Sequence, residues 1–282
     1  MIISRLSGGI GNQLFQYSLG LYLSIKNDSI LKVDVNRFNS VNEFRNYSLD
    51  DIISDINIAS DDEIHDFTKK SWLNPFSNRK VVNEKKFEFD NNITKLKGSL
   101  YLNGFWQSEK YFLPIKDILK DKIKIKSIFN PSLYNKFRSE FNTKNSVCIF
   151  VRRAELVTNK TFESYHGYCK EDYYYRAIQY ISNKIENPFF YIFSDDIEWC
   201  IEKFGNLNNS QIVLHFDNDI NYTQYFYLMS YCRNFIISNS TYGWWAAWLS
   251  ISKDKIVIVP NNWFNQAKHS TIDLFPPDWI VL

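Results

Sequence analysis

The sequence predicts an α/β protein made of two Rossmann-like halves, and three observations carry that prediction. Residues 146–259 alternate short apolar runs with helical periodicity, five strands deep, which is the pattern of a parallel sheet covered by helices on both faces. Residues 2–26 read as strand, glycine-containing loop and apolar helix, the same unit again. The polar stretch Asn142-Thr143-Lys144-Asn145 divides the chain, giving expected domains at 1–142 and 143–282. A length of 282 residues suits one large domain or two ordinary ones of roughly 100–200 residues.

Taken in order, Ile2–Leu6 is a predicted strand. Residues 14–26 follow as a helix, because Leu14, Phe15, Ser18, Leu19, Tyr22 and Ile25 share one face. Ile30–Val35 is a second strand. Residues 39–97 show only mixed helix and loop, and Leu100–Leu102 is a further strand. In the second half, Ser146–Val151 is apolar and β-branched, so a buried strand. Residues 172–185 are helical through Tyr174, Ala177, Ile178, Ile181 and Ile185. Phe189–Phe193 is a strand, Glu198–Phe204 a short helix closed by Gly205, and Gln211–Phe216 a strand. Tyr222–Cys232 is helical, Phe235–Ile237 a strand, Tyr242–Ile251 a helix, and Ile256–Val259 a strand ended by Pro260.

Composition narrows the function. Hydrophobic residues at 45% and charged residues at 23% describe an ordinary globular chain, not a disordered or fibrous one. A net charge of +2 argues against a dedicated nucleic-acid binder. Cys148, Cys169, Cys200 and Cys232 have neither zinc-ligand nor disulfide-framework spacing, so buried reduced thiols are expected. No apolar run reaches the length of a transmembrane helix and the N-terminus has no signal-type segment, so a cytoplasmic location is expected. The lysines at 116, 120, 122, 124 and 126 suit either a solvated helix face or contact with an anionic membrane.

In an open α/β sheet, ligands bind beyond the carboxyl ends of the strands. Four polar clusters follow predicted strands of the second half: Arg152-Arg153-Ala154-Glu155, Ser194-Asp195-Asp196, Asp217, and Ser238-Asn239-Ser240-Thr241 at a helix start. Arginines suit a diphosphate, because their forked donors match phosphate oxygens and stay charged. An ion pair with a carboxylate on a neighbouring loop is the alternative. A helix start offers free N–H groups and partial positive charge to the same phosphate, while one of its residues serves as the cap. Adjacent Asp195 and Asp196 allow a metal reading. Their side chains diverge, however, and two cations already stand nearby, so Ser194 and Asp195 are read as hydrogen-bonding groups toward the donor's ribose or base, or toward backbone, and no metal is expected. Three of the nine glycines, Gly8, Gly9 and Gly11, make a close-approach loop before a helix, with Asn12 and Gln13 beside it. It matches neither G-x-G-x-x-G nor a P-loop.

Together these segments resemble the bacterial-type alpha-1,2-fucosyltransferase family. The matching stretches are SGGIGNQLFQYS at 7–18, GFWQSEKYF at 104–112, VRRAELVT at 151–158, FSDDIEW at 193–199, YLMSYCRNFIISNSTYGWWAAWL at 227–249 and IVIVPNNWF at 256–264. They span nearly the whole chain in order, and the long one ending in the Trp244-Trp245 region is the most specific. The resemblance implies a GT-B architecture of two Rossmann-like domains around a central cleft. It also implies inverting transfer from GDP-fucose to the 2-hydroxyl of a β-galactoside, with no required metal or other cofactor and the GDP-sugar as co-substrate. On that reading the second domain binds the donor through Arg152, Arg153, Ser194, Asp195, Ser238, Asn239, Ser240 and Thr241, with Gly9, Gly11 and Asn12 also near it. Arg152 stabilises the leaving diphosphate, and Glu155 either takes the acceptor proton or orients Arg152. Phe105, Trp106 and Gln107 either stack against the acceptor galactose or pack as core. The acceptor belongs to cell-surface polysaccharide and could be lipid-linked, with peripheral inner-membrane contact.

One departure matters. The family's H-x-R-R-G-D-Y reads here as Phe150-Val151-Arg152-Arg153-Ala154-Glu155-Leu156. Both arginines are kept, while the histidine, glycine and tyrosine are replaced. Drift explains this, or a donor with fewer hydroxyls, such as GDP-colitose. An inactive carbohydrate-binding homologue and a metal-dependent transferase are the rival readings.

Overall fold

In the first half, β1 (Ile2–Arg5) and β2 (Leu31–Asp34) flank α1 (Ile10–Lys26) in sequence, as expected. Then come α2 (Asp61–Thr68), β3 (Arg79–Asn83), β4 (Ser99–Asn103) and α3 (Lys116–Lys122). The computed structural model describes residues 1–39, 45–68, 79–126, 131–153, 157, 164, 167–213, 222–265 and 270–282. The four strands are parallel in the order β2-β1-β4-β3. Helix α1 buries Leu14, Phe15, Leu19 and Leu23 completely. It lies close enough to the sheet that a Cβ on Gly20 would come within 2.8 Å of Leu31 and 3.1 Å of Ser4. The Ser4 hydroxyl donates to the Gln16 carbonyl at 2.7 Å across the same contact.

Strand β3 falls inside the stretch that the sequence left as mixed helix and loop. It is an edge strand whose residues Arg79-Lys80-Val81-Val82-Asn83 are mostly exposed. Such a strand has no need of the apolar run that marks buried ones, and charged residues on it discourage edge-to-edge pairing.

The second half contains α4 (Pro131–Thr143), β5 (Asn145–Val151), α5 (Glu171–Ser182), β6 (Pro188–Ser194), α6 (Ile197–Phe204), β7 (Ser210–Ile212), α7 (Tyr222–Met229), β8 (Asn234–Ile237), α8 (Thr241–Leu249), β9 (Val257–Val259) and β10 (Ile280–Val281). All its strand pairs are parallel, in the order β10-β9-β8-β5-β6-β7. The five expected strands are present, and β10, only two residues long, adds a sixth. Residues 214–216 of the expected strand after Gln211 lie outside the described residues.

Strand β5 alternates between two cores. Val147, Ile149 and Val151 pack with Tyr174, Ala177 and Ile181 of α5 and with Cys200 and Phe204 of α6. Phe150, facing the other way, stacks on Tyr242 of α8 at 5.2 Å. Gly243 lets α8 approach this face, since a Cβ there would meet Phe150 at 2.8 Å and Ile237 at 3.2 Å. Trp244 contacts both Trp245 and Trp279. A sheet buried on both faces explains why these strands read as continuous apolar runs. All four cysteines are buried and unbridged, as expected.

Contacts divide the chain into Met1–Lys126 with His269–Pro276, and Ser127–Lys268 with Pro277–Leu282. The division therefore falls before α4, whereas the polar stretch placed it after residue 142. Helix α4 packs on the second sheet: Ser146 Oγ donates to the Phe141 carbonyl at 2.8 Å, and Tyr134 meets Tyr231 edge to face. The short return to the first unit is anchored by Asp273, which accepts from the Phe89 amide at 2.9 Å and pairs with Lys110. No helix among the described residues is long and apolar enough to cross a membrane.

Candidate functional site

Numbered by appearance within the second unit, its strands run 6-5-4-1-2-3, so the order reverses between β5 and β8. Crevices form at such reversals because the connections leave in opposite directions. The register brings the strand ends level: Val151 pairs with Ser194, Phe150 pairs with Ile237, and the Ser238 amide donates to the Phe150 carbonyl at 3.0 Å. Arg152, Ser194-Asp195-Asp196 and Ser238–Thr241 therefore leave the sheet together. Three of the four predicted clusters meet; Asp217 lies outside the described residues, as do Ala154 and Glu155.

Not every predicted side chain is available. Arg153 is paired: its Nε meets Asp196 Oδ2 at 3.1 Å, and its guanidinium lies 4.8 Å from the Trp199 ring and 5.1 Å from that of Tyr168. The ion pair expected as the alternative is present at Nε of this arginine. Asp195 Oδ1 accepts from the Arg153 amide at 2.7 Å, and Asp196 caps α6 through the Trp199 amide at 3.2 Å. Both carboxylates knit the β5 end to the β6 end. Ser194 is buried and its hydroxyl accepts from the Asp196 amide at 2.9 Å, which makes it part of that turn, not a donor-facing group. Asn239 is likewise structural, since its Nδ2 donates to the Gly167 and Trp263 carbonyls at 3.2 Å each. Ser240 caps α8 by accepting from the Tyr242 amide at 3.3 Å. The Ser238 hydroxyl is buried with no hydrogen-bond partner among the described residues. Arg152 and Thr241 keep partial access to solvent, and Asp195 is exposed. Among the described residues no group of three or more His, Cys, Asp or Glu is placed to hold a metal ion.

Burial also fixes the protonation of the neighbouring thiols. Cys200, beneath the Ser194 turn, is pushed up to about 12, chiefly by burial. Cys169, which donates to Asn239 Oδ1, is also raised to about 12 by burial.

The first unit has its own reversal. Its order 2-1-4-3 turns between β1 and β4. There Arg5, the last residue of β1, donates to Asn103 Oδ1 at 2.9 Å across to the end of β4. Two cavities share Arg5, Arg37 and Asn103. The larger, about 480 Å³, adds Asp34 and Tyr101; the smaller, about 200 Å³, adds Ser7, Gly104 and Phe105. Asp34 accepts from the Tyr101 hydroxyl and from the Asn36 amide. Burial, and then that bond, raise the Tyr101 hydroxyl above its ordinary range.

The glycine loop and the Phe105–Gln107 segment meet here, because Gln107 Nε2 donates to Asn12 Oδ1 at 2.9 Å. Gly9 is the N-cap of α1 with open space where a Cβ would stand, and Gly11 is buried in the helix. Gln13 is engaged inside the protein, donating to the Gly8 and Asn46 carbonyls and accepting from the Ser48 amide. Of the two aromatics, Phe105 is exposed and offers a ring face. Trp106 is 1% exposed, packs edge to face on Tyr111 and holds a left-handed φ of 57°, so it is core. Glu84 fixes this loop, its two oxygens accepting from the Phe105 and Trp106 amides at 2.7 and 2.9 Å. Burial raises the Glu84 carboxyl above the usual range, against the pull of those two amides. The sequence reading missed Arg5, Asp34, Arg37, Asn103 and Glu84. The strand-end rule, applied to the first half, points to four of them; Glu84 follows the unread edge strand.

A sequence model of the family described as Glycosyl transferase family 11 matches residues 4–282. An alpha-1,2-colitosyltransferase of Escherichia coli is 32% identical over 293 residues, covering 99% of this chain and 98% of that one. The O-antigen biosynthesis glycosyltransferase WbnK of Escherichia coli is 30% identical over 309 residues, with 99% of each chain covered. In fold, the chain resembles the alpha-1,6-fucosyltransferase NodZ of Bradyrhizobium in a crystal soaked with GDP-fucose. The TM-score is 0.51 at 12% identity, over 88% of this chain and 91% of that one.

Proposed function

Because the chain belongs to glycosyl transferase family 11, the alpha-1,2-fucosyltransferase family, and has the GT-B class of fold, we propose that this glycosyltransferase moves L-fucose from GDP-fucose, with inversion, to the 2-hydroxyl of a β-galactoside of cell-surface polysaccharide. The observation that carries the reading is that the reversal of the second sheet brings the segment after β5, with Arg152, and the segment after β8, with the N-terminus of α8, to one edge.

The bond that breaks joins an anomeric carbon to a diphosphate. As it lengthens, the sugar becomes oxocarbenium-like and negative charge grows on the departing oxygens. Arg152 and the positive end of the α8 dipole meet that charge where it develops. Arg153 acts behind Arg152: held by Asp196 and the Trp199 and Tyr168 rings, it keeps the β5 end rigid. The acceptor hydroxyl attacks from the opposite face, and Glu155 remains the assigned base or the group that orients Arg152. Turnover is proposed to need no divalent metal, consistent with Asp195 and Asp196 being engaged with Arg153. We place the enzyme in the cytoplasm, with peripheral contact at the inner membrane where an acceptor is lipid-linked.

Two observations favour GDP-colitose as a second donor reading. One is the 32% identical colitosyltransferase. The other is Phe150 and Leu156 standing where the family carries histidine and tyrosine, which removes polar partners for a sugar hydroxyl. The test of the main reading is the Arg152→Ala enzyme. Loss of a donor that acts in the transition state lowers kcat by about 10²–10³-fold. An unchanged kcat with GDP-fucose overturns the assignment of Arg152, and activity abolished by EDTA overturns metal independence.

A further inference from the structure

Each strand of the first sheet ends on a planar polar residue: β2 on Asp34, β1 on Arg5, β4 on Asn103 and β3 on Asn83. The register sets them side by side, with Arg5 opposite Asp34 and Asn83 opposite Asn103. Hydrogen bonds continue the row: Arg5 donates to Asn103 Oδ1 at 2.9 Å, and Asn103 Nδ2 donates to Asn83 Oδ1 at 2.7 Å. Parallel partners carry their side chains on one face, as does every second residue of a strand. Arg5, Asp34 and Asn103 therefore share a face with Tyr101 and, through its register with Tyr101, with Val81. The larger cavity of the first unit, about 480 Å³, is built on that face. Its volume lies within the roughly 300–1,000 Å³ of small-molecule sites. Val81, 43% exposed on the edge strand, gives it an apolar wall.

The charges of this cavity are balanced. The Arg5 guanidinium stands in register beside the Asp34 carboxylate, and Arg37 has a partner of its own. An anion therefore gains nothing there. Hydrogen-bonding capacity of both kinds does remain. Asp34 spends two of its roughly four acceptor positions, on the Tyr101 hydroxyl and the Asn36 amide. Arg5 spends one of its five N–H groups on Asn103. Asn36 is exposed, and its Nδ2 is fixed on Asp61 Oδ1 at 2.7 Å, which leaves its Oδ1 as a further acceptor on the lining. A hydroxyl is the group that uses both kinds at once, donating to a carboxylate while accepting from a guanidinium.

We infer that the larger cavity is an acceptor subsite for an uncharged sugar residue, the one next to the galactose that takes the transfer. Adjacent hydroxyls of that residue bridge Asp34 and Arg5, and its apolar face lies on Val81. The galactose itself belongs to the neighbouring smaller cavity, which shares Arg5 and Asn103 and presents the Phe105 ring. The site stands at the reversal of the first sheet, the place equivalent to the one that gathers the β5 and β8 ends in the second. This inference deepens the proposed transferase reading and rests on it for the acceptor role. It adds that the acceptor is read over at least two sugars, the second through its hydroxyls and not through a charge.

The experiment measures KM for methyl β-galactoside and for a panel of neutral β-galactosyl disaccharides whose second residue is a hexose or an N-acetylhexosamine. The best of these is also made with a hexuronate as its second residue. Hydrogen bonds to two charged groups give the best neutral disaccharide a KM about ten-fold below that of methyl β-galactoside. Deoxygenation at either of two adjacent positions of the second residue removes most of that gain, and the hexuronate does no better than its neutral counterpart. Val81→Trp fills the cavity from an exposed edge position and brings the ratio of the two KM values to about one. Asn36→Ala, also at the surface, lowers it in the same direction. Ratios within one preparation do not depend on the folded fraction, so partial misfolding does not imitate the result. Equal KM values across the panel, a gain that survives Val81→Trp, or a hexuronate preferred over its neutral counterpart overturns the inference. If no GDP-sugar is turned over, the transferase reading has failed, and the cavity is tested by saturation-transfer NMR with the same disaccharides. Saturation transfer that is lost in Val81→Trp sustains the subsite; none from any disaccharide, or transfer unchanged by Val81→Trp, overturns it.

Discussion

Replacing Asp196 with asparagine separates two roles of one residue. Asparagine still caps α6, so the bond to the Trp199 amide survives. The charge facing Arg153 does not. The pair is close, with Nε to Oδ2 at 3.1 Å, and the side chains are 19% and 24% exposed. Fully exposed pairs contribute about 0–1 kcal/mol, and breaking a fully buried one costs about 3–5 kcal/mol. At one fifth exposure, with the Trp199 and Tyr168 rings still holding the cation, the cost lies between these limits, about 1–2 kcal/mol. That lowers the folded-to-unfolded ratio roughly 5- to 30-fold. Urea unfolding measures it as a lower midpoint at unchanged m-value. Isothermal titration with GDP then reports the site. If Arg153 positions Arg152, GDP binds more weakly in Asp196→Asn. If Arg153 were itself a phosphate ligand held back by Asp196, freeing it would tighten GDP. Tighter binding, or no change in either measurement, refutes the positioning role.

Three further outcomes are expected. Ser240→Ala removes the cap of α8 and costs about 1 kcal/mol by thermal or urea unfolding. Gly243→Ala places a methyl 2.8 Å from Phe150, so overpacking costs about 1–3 kcal/mol, and the shifted start of α8 weakens GDP binding in the same titration. The buried thiols give an alkaline limit. Cys169 and Cys200 are raised from 9.0 to about 12, so the unfolded chain releases these protons first. Their contribution is complete below pH 9 and is lost as pH rises towards 12, at about 1.4 kcal/mol per unit for each thiol. Urea midpoints taken from pH 8 upward measure it. A midpoint that does not fall above pH 9 contradicts the burial account.

The legibility of the sequence followed the physics of each segment. Strands buried on both faces, such as Ser146–Val151 and Phe189–Phe193, announced themselves as runs of apolar β-branched or aromatic residues, because a side chain there meets packed helices and not water. Edge strand β3 was silent for the opposite reason: Arg79 and Lys80 face water, and no periodicity distinguishes them from a loop. The position of the candidate donor site was readable because topology alone sends residues after β5, β6 and β8 to one edge. Its division of labour was not. That Arg153 is clamped by an ion pair and two rings depends on Asp196, Trp199 and Tyr168 converging in space. Likewise Trp106 and Phe105 are adjacent aromatics of equal promise in sequence, and only the left-handed turn held by Glu84 sends one to the core and leaves the other exposed. The division after residue 142 failed to foresee that α4 packs on the second sheet, since a polar stretch marks a loop without saying which side its neighbours join.

The central claim is transfer of a GDP-activated 6-deoxy sugar to a galactoside hydroxyl. It is tested most directly by incubating the purified protein with a β-galactoside and equal concentrations of GDP-fucose and GDP-colitose, in the presence of EDTA, and solving the product linkage by NMR. The account predicts a single α-1,2-linked 6-deoxy-L-sugar on galactose, with the identity of that sugar deciding between the two donors. Neither sugar transferred, by a protein that also fails to bind GDP, would contradict it and leave the inactive carbohydrate-binding reading in its place.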